Sequence, residues 1–325
     1  MKYHKITILL SLLLFVTSCS KEKKEEVQMS SRTQVIMGTF CTLTLEEKYA
    51  QELTNGFEKL KEVEHVLSSY QEDALVSLLN KNRRIVSHPM LTDILEKSKK
   101  YYAQTEGYFD ISIGSITKEL YHFGEEEQIP SEEAIKRAPL GVENIIIEKD
   151  LIRLENNITL DLGGIGKGYG VDVLAAYYQS KGLSKGQIAL SGDIRCLDLC
   201  EIAIQSPFEE EATIALLQAK IPNLSISTSG TYRRFVKEKS QHHLINPKIK
   251  SQGRDFVSVT ILSQANNTLC DAMATAIATM PKEKALAFVK TQDIFGYLLI
   301  TPSGEAFSGN LEKFVARKKR EESND

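Results

Sequence analysis

Between Asp161 and Asp172 the chain reads Asp-Leu-Gly-Gly-Ile-Gly-Lys-Gly-Tyr-Gly-Val-Asp, with five glycines in the eight positions from 163 to 170. So many residues without a Cβ restrict what this stretch can be. It suits a turn where backbone comes close to something else, and it suits poorly the middle of an ordinary element. The apolar run Ile158 to Leu162 ahead of it is expected to be a strand. Val171 to Lys181 behind it is expected to be a helix, closed by Gly182. A glycine loop that enters a helix offers free N–H groups and the positive end of a helix dipole, a setting for phosphate, and Lys167 adds a cation. The segment is not a nucleoside-triphosphate loop of the GxxxxGK type, because Asp161 stands where the first glycine should be. It is not a dinucleotide GxGxxG either, because Val171 takes the last place. A tight structural turn remains the plain alternative.

Other segments carry weaker signals. Asp271, Ala274 and Thr275 fall at i, i+3 and i+4, on one face of an expected helix. A carboxylate and a hydroxyl at that spacing can reach one hard cation such as Mg²⁺, or can be a dipole-favoured acid and a core threonine. Thr228 to Tyr232 is a polar, hydroxyl-rich stretch, followed by His242-His243-Leu244-Ile245-Asn246-Pro247. A histidine there suits a general base or a structural role. Met37-Gly38-Thr39, Tyr70 and Gly107-Tyr108-Phe109-Asp110-Ile111 suit either the wrapping of a flat ring or core packing.

Periodicity fills in the rest. Val35 to Leu45 alternates as a strand, with Cys41, Leu43 and Leu45 on one face. Leu53, Phe57, Leu60, Val63 and Leu67 predict a helix from about Ala50 to Leu67. Further helices are expected over Met90 to Gln104, Ser131 to Arg137 with Ser131 as N-cap, Asp271 to Met280 and Lys282 to Lys290. Short strands are expected at 145–147, 152–154, 188–190, 202–205, 212–217, 224–228, 256–262 and 296–300. Helices and strands mix without strict alternation, so the fold class is α+β.

The N-terminus reads as an export signal. Lys2 and Lys5 precede the apolar run Ile6 to Val16, which is shorter than the roughly 20 residues of a membrane span. Val16-Thr17-Ser18-Cys19 then resembles a bacterial lipobox, with Cys19 as the acylated first residue of the mature chain. Two or three acyl chains anchor stably. The expected organisation is a lipoprotein signal peptide over 1–18, a charged tether over 19–30, one domain over 31–318 and a tail over 319–325. The expected location is extracytoplasmic and membrane-anchored. The net charge of -3 over 325 residues carries no basic stripe for nucleic acid. Cys196 and Cys200, if in an extended strand, lie roughly 13 Å apart, too far for a disulfide. They are read as buried thiols alongside Cys41 and Cys270, with a cross-pairing left open.

Taken in order, Met37 to Thr39, Gly107 to Ile111, Asp161 to Asp172, Ser227 to Gly230, His243 to Pro247 and Asp271 to Thr275 resemble the ApbE family of FAD:protein FMN transferases. The resemblance spans about residues 33–308. It implies an α+β domain with T-fold-like halves and FAD as substrate in an elongated cleft. It implies Mg²⁺ held by the side chains of Asp271 and Thr275 and the carbonyls of Gly164 and Ala274. Met37, Tyr70, Tyr108, Phe109, Asp110, Asp161, Lys167 and Ile245 are then FAD contacts, and His243 the base. Many members carry alanine where this chain has Gly166 and Gly170. The implied reaction transfers FMN from FAD to a threonine or serine of flavin-accepting redox proteins and releases AMP. An Mg²⁺-dependent FAD pyrophosphatase and a non-catalytic flavin-binding lipoprotein are the alternatives.

Overall fold

A computed structural model describes residues 27–318. Cys19 and the expected signal peptide therefore lie outside the described residues. The first strand opens at Met29, inside the last two residues of the expected tether.

The stretch read as one strand is a hairpin of β1 (Met29–Ile36) and β2 (Thr39–Glu46). Met37 and Gly38 both take positive φ, 53° and 69°, and reverse the chain in two residues. The facing was legible all the same: Cys41, Leu43 and Leu45 are fully buried. Their partners come from α1 (Ala50–Leu67), which buries Leu53, Phe57, Leu60, Val63 and Leu67 along one stripe. Each such side chain contributes about 1.5–3 kcal/mol by leaving water.

A helical layer and a small sheet follow: α2 (Leu75–Asn82), β3 (Arg84–Val86), α3 (Pro89–Gln104), α4 (Gly114–Thr117) and α5 (Glu132–Arg137), then β4 (Ile145–Ile147) and β5 (Leu151–Leu154). Strands β3, β5 and β4 form a three-stranded sheet. Ser131 caps α5 by accepting from Ala134 N–H. The expected strand at 158–162 does not form. Thr159 makes one isolated bridge to Ile113, Asp161 N–H donates to the Ile111 carbonyl, and side chains take groups between them. Asn80 bonds both the N–H and the carbonyl of Leu160, and Ser115 Oγ accepts from Thr159 N–H.

Next come α6 (Gly166–Ser180), β6 (Gly186–Leu190), β7 (Asp193–Cys196), β8 (Glu201–Gln205), β9 (Thr213–Ala219) and β10 (Leu224–Gly230). Helix α6 starts five residues earlier than its apolar periodicity indicated. Gly166, Gly168 and Gly170 are thus helical, and the loop proper is residues 163–165. The chain ends through β11 (Ile245–Asn246), β12 (Ser251–Gln252), β13 (Ser258–Ser263), α7 (Asn267–Thr279), α8 (Lys282–Lys290), β14 (Gly296–Ile300), β15 (Ala306–Gly309) and β16 (Val315–Arg317).

The main sheet has eight strands in the order β1-β2-β6-β7-β10-β13-β14-β15. Helices α1, α6 and α7 lie on one face, and the small β16-β9-β8 sheet packs on part of the other. The fold is α+β, as expected. Cys196 and Cys200 form a disulfide, which corrects the reading of both as thiols. Strand β7 stops at Cys196, and the chain turns before β8, so their Cα atoms are only 5.5 Å apart. Cys41 and Cys270 are free and buried. Among the described residues no helix is long and apolar enough to cross a membrane.

Candidate functional site

The glycine loop meets the first turns of α7, and absent side chains allow it. A Cβ on Gly168 would lie 2.4 Å from the carbonyl oxygen of Asn267 and 2.8 Å from Asp271 Cβ. A Cβ on Gly164 would lie 2.8 Å from Thr275 Cγ2. The approach is held by Asp172. Its carboxylate accepts from the N–H groups of Asn267 and Thr268 at 2.8 Å each and from Arg195 Nη2 at 2.6 Å. Asp172 therefore caps α7 and turns away from the loop's open side. Asn266 adds a second cap through Leu269 N–H.

The contact aligns a set of polar groups. Gly168 N–H donates to Asp271 Oδ2 at 3.0 Å. Lys167 Nζ lies 3.5 Å from the same oxygen and 3.0 Å from Asp193 Oδ2. Asp193 also accepts from Ser227 Oγ at 2.6 Å. Thr275 Oγ1 is 3.4 Å from both the Gly164 carbonyl and Ser229 Oγ. Burial, with the charge of Asp193 beside it, pushes the Asp271 carboxyl well above the usual carboxylate range. Burial alone would lower Lys167, but Asp193 and then Asp271 outweigh it and hold the ammonium charged.

Asp193 was missed by sequence reasoning. A signal existed: an acid placed among Ile188, Leu190 and Ile194 in a strand-forming stretch must find a partner once buried. With both carboxyls ionised against one ammonium, one negative charge is in surplus. All the donors are oxygens, which suits a hard cation such as Mg²⁺. The Gly164 carbonyl can face Thr275 because position 164 has no Cβ. The residues present thus fit the ion that the sequence implied. Ala274 is fully buried within α7, and a methyl side chain has nothing to offer an ion. Among the described residues no three His, Cys, Asp or Glu side chains gather into a metal-holding group.

The remaining site residues divide into two groups. Met37 sits in the hairpin turn, its N–H on Glu64 Oε1 at 2.9 Å. A Cβ on Gly170 would come within 3.0 Å of Met37 Sδ, which gives a local reason for glycine there. Tyr70 is 44% exposed. Lys118 Nζ lies 3.0 Å from its ring centroid, and Arg234 bonds its hydroxyl. Tyr108 is half-buried, with Lys248 Nζ 4.8 Å from its ring centroid. Asp161 shapes the loop by accepting from Gly163 N–H at 2.8 Å and Thr117 Oγ1 at 2.6 Å.

Three of the residues expected to contact FAD have side chains that turn inward. Phe109 packs edge-to-face on Tyr101 in the core, and Ile245 is buried among Ile116, Tyr121 and Phe123. Asp110 spends one oxygen on the N–H and hydroxyl of Ser112, and burial raises its carboxyl. Phe109 and Ile245 can reach a ligand only through their backbone.

The two histidines separate as strand-like alternation requires. His242 is buried and donates from Nε2 to the Gly253 carbonyl at 2.9 Å. His243 Nδ1 is 3.1 Å from the Arg234 carbonyl. A carbonyl only accepts, so Nδ1 carries the proton and Nε2 keeps a free lone pair. Burial pulls His243 down to about 4, and the nearby charges of Arg234 and Lys167 act the same way. The imidazole is therefore neutral at pH 7. Arg234 thus links His243 through its carbonyl to Tyr70 through its guanidinium, a link with no sequence signature.

A model of the ApbE family matches residues 37–298, from the hairpin turn to β14. The chain belongs to the ApbE family. The FAD:protein FMN transferase of Vibrio cholerae serotype O1 is 29% identical, over 95% of this chain and 98% of the relative. That of Escherichia coli strain K12 is 26% identical, over 92% and 93%. Among solved structures, the flavin transferase ApbE from Vibrio cholerae superimposes with a TM-score of 0.76 at 25% identity, covering 88% of this chain and 99% of that one. The ApbE protein of Thermotoga maritima gives 0.80 at 21% identity, covering 88% and 98%, a likeness of fold. The ApbE match therefore takes in the loop, Asp271, Thr275 and His243 together.

Proposed function

We propose that this chain transfers FMN from FAD to a threonine or serine hydroxyl of a partner protein, forming a phosphodiester and releasing AMP. The observation that carries the reading is the meeting of the glycine loop with Asp271 and Thr275, within a chain that belongs to a family whose relatives are FAD:protein FMN transferases. The site is proposed to hold Mg²⁺ on Asp271, Thr275 and the carbonyls of Gly164 and Ala274. When bound, that ion neutralises and polarises the FAD pyrophosphate.

The chain's own groups do the rest. The N-terminus of α6 and the Lys167 ammonium face dense negative charge. Asp193 keeps Lys167 extended toward it. His243 Nε2 accepts the proton of the acceptor hydroxyl, whose oxygen bonds to the phosphorus on the FMN side. The bond from that phosphorus to the AMP oxygen breaks, and AMP leaves. Bound diphosphate adds negative charge near His243 and raises its affinity for that proton, offsetting the effect of burial. The exposed face of Tyr70 is proposed to stack on the isoalloxazine.

Cys19 is proposed to be acylated, which would place the domain outside the cytoplasm on a membrane surface and suits the oxidised Cys196–Cys200 pair. Incubation with FAD, Mg²⁺ and an acceptor protein tests the activity. Fluorescence that stays with the acceptor through a denaturing gel supports transfer. Free FMN alone makes the enzyme a pyrophosphatase.

A further inference from the structure

We propose that Lys118 is a positioning residue for the flavin: its ammonium backs the ring of Tyr70 and fixes that ring where the isoalloxazine stacks. The proposal rests on the reading of Tyr70 as the stacking residue, and it adds the group that holds it.

Tyr70 lies between α1 and α2, in a segment that no helix or strand fixes. The Ser68 hydroxyl accepts from the N–H groups of Tyr70 and Gln71 at 3.1 Å each, which sets the backbone only. The ring is held by residues from elsewhere. Its hydroxyl donates to the Phe123 carbonyl at 3.1 Å and accepts from Arg234. Lys118 Nζ stands 3.0 Å from the ring centroid, so one face of the ring is closed. Lys118 is 8% exposed against 44% for Tyr70, so the closed face is the one turned toward the protein.

A lysine this buried needs a partner. Burial lowers its pKa, and the charges of Asp161 and then Glu125 oppose that. Glu125 Oε1 pairs with the ammonium at 3.4 Å, but Glu125 itself is half exposed. An ion pair alone would have left the ammonium at the surface. An ammonium withdrawn from water gains most from an aromatic face. Ring and ammonium thus hold each other in place.

The position of Lys118 also ties the flavin end of the site to the phosphate end. The preceding residue, Thr117, donates its hydroxyl to Asp161 Oδ2 at 2.6 Å, and Asp161 accepts from Gly163 N–H. Tyr70 is therefore set against the glycine loop through two adjacent residues. Gly124 removes slack on the other side: a Cβ there would lie 2.8 Å from Arg234 Nη2 and 3.1 Å from Tyr70 Cε1. A ring free to turn would have to be ordered when FAD binds, which weakens binding.

The test is a titration with FAD beside one with ADP, which shares the diphosphate and adenosine but lacks the flavin. Lys118→Met keeps the apolar stem and removes the charge. It is expected to weaken FAD about three- to tenfold, the scale of freeing one ordered side chain, and to leave ADP unchanged. In transfer, the loss appears in KM for FAD and not in kcat. Lys118→Arg recovers most of it, because a guanidinium also rests on an aromatic face. Tyr70→Ala weakens FAD by itself, and adding Lys118→Met to it weakens FAD no further, because the lysine acts through the ring. Lys118→Gln, with the same expected result, replaces Lys118→Met if that variant does not fold. Unchanged FAD affinity overturns the proposal. So does an equal loss with ADP, which would make Lys118 a support of the phosphate loop. So does a loss that adds to that of Tyr70→Ala. If the wild type binds FAD yet transfers nothing to an acceptor, the transferase reading falls, while the two titrations still decide the role of Lys118.

Discussion

The amide of Gly168 donates to the carboxylate of Asp271 at 3.0 Å, joining the glycine-rich start of α6 to α7. The two residues are 103 positions apart in the chain. Everything proposed for the site depends on that closure.

Replacing Gly168 should therefore be costly. An alanine Cβ would sit 2.4 Å from the Asn267 carbonyl, which belongs to rigid helix backbone. Gly168→Ala is expected to lose about 1–3 kcal/mol, the usual range for overpacking, and to abolish transfer. Gly182→Ala is the comparison, because nothing lies within 4 Å of its Cβ and only its positive φ is strained. Thermal unfolding alongside a transfer assay separates the two. Wild-type activity in Gly168→Ala would show that loop and helix need not touch.

Cation binding should follow the proton on Asp271. Burial and Asp193 raise this carboxyl well above the usual carboxylate range, so at low pH the ion must displace a proton. Mg²⁺ affinity is expected to weaken as pH falls, by at most about tenfold per pH unit, and to level off once the carboxyl is ionised. Calorimetry at pH 6 and pH 8 measures this directly, with Asp271→Ala binding at neither. Affinity independent of pH would take Asp271 out of the ion's shell.

The adjacent histidines should fail in different ways. His243→Ala is expected to slow single-turnover transfer at least about a hundredfold, the low end of general-base effects, with FAD binding little changed. His242→Ala should keep most of its rate. It should instead lose about 1–3 kcal/mol of stability by leaving the buried Gly253 carbonyl without its donor. Exchanged phenotypes would mean that the cleft lies on the other side of this segment. Loss of FAD binding in His243→Ala would make the residue a cofactor contact.

How much of this was legible beforehand depended on the kind of signal. Helix α1 was readable to its ends because a long amphipathic stripe has a period of its own. The single strand over 35–45 was misread because alternation continues through Met37 and Gly38, where only φ distinguishes a turn. The strand expected at 158–162 was lost to side chains from distant segments, Asn80 and Ser115, that no local pattern announces. Asp271 and Thr275 were visible as a spacing on one helix. Asp193 and Arg234 reach the site from other elements, so only the fold brings them in. The Cys196–Cys200 pairing turned on where β7 stops, one residue of strand end.

The proposed anchor has its own test. Cys19→Ser is expected to move the protein from the membrane fraction to the soluble one, while the purified domain keeps its transfer activity. A variant that still sediments with membranes would refute the lipobox.

The most direct measurement of the central claim is the intact mass of an acceptor protein after incubation with this chain, FAD and Mg²⁺. The expected gain is one FMN less one water, matched by one AMP released per acceptor, and absent when the acceptor threonine is replaced by valine. An acceptor of unchanged mass, with FMN and AMP appearing free in equal amounts, would contradict it.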